Sequence, residues 1–163
     1  MGGGHKTLDK AVKISGYLAS SLFVIIGFIV SYEVISRYIF NSPTIWVSEI
    51  SQFLQIWATY LALTYSFHTK DLIRITFIYD RLGENGQKFL DLLSFLFIIF
   101  FSSFVVYYGW EIAYDSFKVG RTSSTILDLP SFLTEVAIPL CFGLLLLRVL
   151  AETIKYLLDF FKK

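Results

Sequence analysis

Two glutamates, Glu33 and Glu135, lie within stretches otherwise dominated by apolar residues, and an ionisable side chain in such surroundings is a first candidate for chemistry. Glu33 stands four residues before Arg37, the order and spacing at which a helix carries an ion pair on one face. The same carboxylate could instead couple proton movement in a small, self-sufficient transporter. Its position close to the end of an apolar run, away from the midplane, favours pairing. Glu135 precedes Pro139 by four residues. A proline cannot donate to that carbonyl, so the helix is expected to kink there or to run regularly only afterwards. Left charged at mid-bilayer, Glu135 would cost about 2.5 to 3.5 kcal/mol. A protein neighbour or protonation is expected to relieve it, with helix packing favoured over a cation site at the break. Gln52 and Gln55 form a polar stripe with Ser48 and Thr59 at helical spacing. Amides in hydrocarbon need partners, so this stripe should face protein, through interhelical bonds or along a solute path.

Other chemistry finds little footing. The histidines are His5 and His68 and the one methionine is Met1, a poor set for a haem held between facing helices. No HExxH pair, phosphate-cradling glycine loop or nucleophile motif is present. A single cysteine, Cys141, excludes an intrachain disulfide and a thiolate cluster. No catalytic residue, metal or cofactor is therefore expected, and a net charge of +1 gives no reason to expect a nucleic-acid partner.

The elements that must position these residues are membrane helices. At 163 residues, 55% apolar and 18% aromatic, the chain is richer in apolar residues than soluble domains usually are. Four runs approach the roughly 20 apolar residues that a bilayer core requires. They place helices at about residues 14–36, 44–67, 92–112 and 129–150 of a single membrane domain. The first is too long for the apolar region of a signal peptide and no cleavage pattern follows it, so a retained helix is expected. Lysines and arginines concentrate before the first span, between the second and third, and in the tail. They number eleven there against three in the other connections, which predicts cytoplasmic termini and an outward-facing stretch at residues 36–49.

Within the first span Gly16, Ser20, Gly27 and Ser31 line up small residues that permit close helix packing, in this chain or against a second subunit. Between spans two and three, Leu72, Ile75, Ile78 or Tyr79, and Leu82 recur every three or four residues. They predict a short amphipathic helix over residues 71–83 in the cytoplasmic interface, followed by a turn at Gly83 and Gly86. Trp46 and Trp110 fall at outer span ends, where tryptophan anchors depth. The phenylalanine-rich third span is expected to touch lipid or a large partner.

These features together resemble the small membrane subunit of TRAP transporters, the tripartite ATP-independent periplasmic systems. The likeness rests on "RYIFNSPTIWVSE", where Arg37, Phe40, Pro43, Trp46 and Glu49 hold the family's spacing. It continues in "LQIWATYLALTYS" and in "LDLPSFLTEVAIPLCFG", and covers roughly residues 31–148. The chain departs from many members at Ala62, where they have glycine, and at Leu72, where they have histidine.

The resemblance implies a scaffold without turnover of its own in the bacterial inner membrane. It implies a large elevator-type membrane subunit that carries the sodium and solute sites. It also implies a periplasmic substrate-binding protein that delivers an organic acid, such as sialic acid or a C4-dicarboxylate. Arg37, Trp46 and Glu49 are expected to fix the outer turn and to contribute to its partner-facing surface, with Pro43 starting helix two. A self-sufficient proton-coupled transporter using Glu33 and a membrane anchor for an enzyme complex are the competing readings.

Overall fold

The structure, a computed structural model, describes residues 3–69, 83–123 and 127–161. Among these the fold is entirely helical: α1 (Gly3–Tyr38), α2 (Trp46–Thr69), α3 (Glu84–Val119), α4 (Ser131–Glu135) and α5 (Ala137–Phe161). The amphipathic segment expected at 71–83 lies outside the described residues except for Gly83. That glycine sits just ahead of α3, while Gly86 is already helical and donates to the Gly83 carbonyl, so the turn precedes Gly86.

Among the described residues, three stretches are long and apolar enough to cross a membrane: Thr7–Tyr38, Gly86–Val119 and Ser131–Leu158. The last spans α4 and α5 together. At 36 residues each, α1 and α3 are about 54 Å long, well beyond a hydrocarbon core of about 30 Å. Both outrun the apolar stretches that identify them. The 24-residue α2 is not among the three, because its glutamines and hydroxyls dilute its apolar residues.

The helices stand in the order α1, α2, α5, α3, with α1 and α3 at opposite edges. Antiparallel packing of α1 and α2 follows from two contacts. Tyr32 meets Trp46 with ring centroids 6.1 Å apart, and Gly16 lies under the Tyr65 ring. On the other side α3 and α5 run antiparallel, with Gly109 against Pro139 and Phe95 against Tyr156. The central pair, α2 and α5, runs parallel. Trp57 Nε1 donates to the Leu133 carbonyl at 3.2 Å, and Thr64 Oγ1 to the Cys141 carbonyl at 3.3 Å.

Val12, Ser15, Ala19, Glu33 and Ser36 are buried on α1. Leu22, Ile26 and Ile29 are half-buried and fill the gaps at steps of three and four, the stripe that knobs-into-holes packing requires. The small-residue line read from the sequence is offset from this seam. Only Gly16 packs in it, while Gly27 meets open space and Ser20 and Ser31 bond their own helix four residues back. On the other side, Phe142, Leu145 and Val149 of α5 form a cluster with Tyr60, Leu63 and Phe67 of α2 and Phe95, Ile98 and Val105 of α3.

The interruption expected near Pro139 falls at Val136, between α4 and α5. Pro139 is then the third residue of α5, where a missing N–H costs no intrahelical bond because the first turn's donors are unpaired anyway. The α3 helix stops on Gly120, which has φ of 66°, and Arg121 N–H closes onto the Ser116 carbonyl. This is a Schellman ending, and glycine takes the left-handed position without the steric cost a side chain brings.

Candidate functional site

The turn joining α1 to α2 is organised by one carboxylate. Glu33, buried on the α1 seam, accepts from Arg37 Nη2 at 2.6 Å and Nε at 3.1 Å through Oε1. Its Oε2 accepts from the Thr44 backbone N–H at 3.1 Å and from the Thr44 hydroxyl. Four donors thus converge on Glu33 from the last turn of one helix and from the approach to the next. Inside this buckle Ser36 Oγ donates to the Ser42 carbonyl at 2.6 Å, and Ser42 N–H returns to the Ser36 carbonyl at 3.1 Å. The chain reverses through Asn41 at φ of 50°, a conformation that asparagine tolerates better than most residues.

The structure corrects the expected place of Pro43. It does not open α2, which starts three residues later at Trp46. The Thr44 N–H is committed to Glu33, so the chain passes across the end of α1 before helical bonding begins. Arg37 lies in the last turn of α1 with its side chain about half exposed. Phe40 is largely exposed and Trp46 is exposed beside Tyr32. Glu49 reaches the other loop at this end, accepting from Leu127 N–H at 3.2 Å. Of the five motif residues, Arg37 and Glu49 are anchored by polar bonds, Trp46 by a ring contact, and Phe40 presents its ring outward.

Below this turn, Ser48, Gln52, Gln55 and Thr59 are all exposed along α2. None of their side chains hydrogen-bonds another described residue. Two clefts run along Gln52, Gln55 and Thr59. One of about 200 Å³ is lined by Glu49, Gln52 and Ile56 of α2 with Ser123, Pro130 and Thr134 opposite. The second, about 360 Å³, is lined by Gln52, Gln55, Ile56, Thr59 and Tyr60. Gln52 and Ile56 belong to both. Glu135, at the α4–α5 break, is half-buried, and its Oε2 has no hydrogen-bond partner among the described residues. Pro139 is buried against Gly109.

At the opposite end lies a cluster that sequence reading did not single out. Arg148 of α5, buried, binds Asp9 of α1 at 2.8 Å through Nη1 and Glu152 at 3.0 Å through Nη2. His68 Nδ1 of α2 is 3.9 Å from the same Asp9 carboxylate. The four-residue step from Arg148 to Glu152 was a visible signal, whereas Asp9 is 139 residues away from Arg148 in sequence and leaves no local trace. Among the described residues no three acidic, histidine or cysteine side chains gather as a metal site.

Apolar helices of this length define an integral membrane protein, and the described polar clusters tie helices and turns together. Residues 26–158 match the family model for the DctQ component of tripartite ATP-independent periplasmic transporters, so the chain belongs to that family of small permease subunits. It is 27% identical over 150 residues to the isethionate TRAP transporter permease protein DctMQ of Oleidesulfovibrio alaskensis, covering 88% of this chain and 22% of the relative. Against the sialic acid TRAP transporter permease protein SiaT of Haemophilus influenzae it is 28% identical over 96 residues, 56% of this chain and 16% of that protein. The ectoine TRAP transporter small permease protein TeaB of Halomonas elongata is 28% identical over 125 residues, 77% of this chain and 64% of its own length. The chain thus spans less than two-thirds of each of these three relatives.

Proposed function

We propose that the chain is the scaffold subunit of a TRAP transporter in a bacterial inner membrane. In this reading it frames a large elevator-type permease and helps dock a periplasmic substrate-binding protein during sodium-coupled uptake of an organic acid. Both termini are cytoplasmic, α2 crosses the membrane as the second of four spans, and the 71–83 segment lies in the inner interface. The small subunit performs no reaction and holds no cofactor; sodium and solute bind in the large subunit.

The observation that carries this reading is the bracing of the α1–α2 turn. Glu33 and Ser36 close it from within and Glu49 links it to the α3–α4 connection. Two loops tied to each other make a fixed outer platform, which suits a docking surface. A proton-coupling carboxylate must exchange with water and change partners, whereas Glu33 is held by donors on both oxygens. Relatives named for isethionate, sialic acid and ectoine match this chain at 27%, 28% and 28% identity, so solute choice is assigned to the other subunits. Sialic acid and C4-dicarboxylates are two acid classes compatible with it.

The test is reconstitution. The chain is co-expressed with the permease and binding protein encoded beside it, purified through a tag on the permease, and placed in proteoliposomes under a sodium gradient. Uptake is expected only when all three proteins and sodium are present. Uptake by the small chain alone, abolished in Glu33→Gln, would establish the self-sufficient transporter instead. Stable recovery with a soluble enzyme and no permease would establish the anchor.

A further inference from the structure

We infer that the polar face of α2, formed by Ser48, Gln52, Gln55 and Thr59, is the seam on which a membrane helix of the large permease lies. This rests on the scaffold reading above and adds which face of the subunit makes the contact. The four residues follow one another at steps of four, three and four, so they share one stripe. All four are exposed, and their side chains have no hydrogen-bond partner among the described residues. Two clefts share Gln52 and Ile56 and so form one trough along α2, with Ser131 and Thr134 of α4 across from Gln52.

The depth of this trough follows from the neighbours of α2. Contacts from Tyr32–Trp46 to Gly16–Tyr65 set α2 alongside the apolar stretch of α1. The bonds from Trp57 and Thr64 set it alongside the apolar stretch through α4 and α5. Gln55 and Thr59 therefore lie at the depth of acyl chains. Carboxamides facing hydrocarbon leave donors and acceptors unmade, which lipid cannot supply and a neighbouring helix can. The occupant must offer hydrogen-bonding groups at membrane depth, such as serine, threonine or amide side chains or the open carbonyls of a broken helix.

The relatives argue for the large permease over a second copy of this chain. In the isethionate and sialic acid permeases, the region matching this chain is 22% and 16% of one polypeptide. One such region is thus tied covalently to a much longer remainder, which is the neighbour present at fixed proportion.

Photo-crosslinking in the co-expressed complex tests the assignment. A benzophenone side chain is introduced at Gln52, Gln55 or Thr59, and adducts are sized after illumination. The expected product is this chain joined to the large permease from all three positions. In parallel, Gln55→Trp should lower recovery of this chain on the tagged permease at least tenfold. Its own melting temperature should stay unchanged, because the position is exposed in the isolated subunit. Adducts with lipid, adducts of doubled small-subunit mass, or undiminished recovery of Gln55→Trp from an otherwise intact complex would each overturn the seam and leave the scaffold reading standing. Failure of the unaltered chain to co-purify with the permease would overturn both.

Discussion

Glu33 shows how one side chain can stand in for a rigid turn. Its carboxylate holds Arg37 and Thr44 at once, so the end of α1 and the approach to α2 move together. Glu33→Ala is expected to loosen residues 41–44, read as at least a tenfold faster amide exchange there, with the lower half of the α1–α2 seam unaffected. Glu33→Gln should be milder, since an amide oxygen can still accept from Thr44. Gly16 offers a second test. A β-carbon there would fall 2.4 Å from the Tyr65 ring, so Gly16→Ala should lower stability by about 1–3 kcal/mol, measured by thermal unfolding in detergent. The pairing of Glu33 with Arg37 was legible because an i, i+4 relation is local. Thr44 was not, because its hydroxyl matters only once eleven residues of chain have folded back. The glycine at 16 was visible as a small residue, but the side chain that needs its space stands on another helix.

Helix ends and breaks carry the next level of organisation. Arg148 joins α1 to α5 through Asp9 and braces its own helix through Glu152. Removing a buried ion-pair member strands the other charges, so Arg148→Ala should cost about 3 kcal/mol, near the lower end of the range for such losses. Asp9→Asn should cost less, because Arg148 keeps Glu152 and Asp9 is itself partly exposed. Chemical denaturation of the two variants in one detergent gives the comparison. Trp57→Phe removes the donor to Leu133 together with part of the ring, and a loss of at least about 1 kcal/mol is expected. Three membrane-crossing apolar stretches, an all-helical fold and a break near Pro139 could be read from hydropathy and from proline chemistry. The shift of the break to Val136 and the offset of the α1 seam could not. Both depend on which neighbour each helix meets, and a helix packed along most of its length on one neighbour buries one stripe whatever its small residues suggest.

For the molecule as a whole, the arrangement leaves broad apolar faces on α1 and α3 at the two edges and a polar stripe on α2 near the middle. Phe97, Phe100 and Phe104 on α3 are exposed, and aromatic rings of this kind meet acyl chains without loss. On the proposed reading, Phe100→Ala should leave recovery of the complex within about twofold, in contrast to Gln55→Trp. The difference is read by quantifying both subunits after tag purification. The dilution of α2 by glutamine and hydroxyl groups also bears on how the protein is made. A segment of that polarity partitions poorly from a protein-conducting channel into lipid by itself, whereas α1 does so readily. The Glu33 buckle and the Gly16–Tyr65 contact give α2 a companion along its length, so the two are expected to leave the channel as a preassembled hairpin. Nascent chains arrested beyond Thr69 should therefore resist carbonate extraction of α2 when α1 precedes it, and lose that resistance when an inert hydrophilic segment replaces α1.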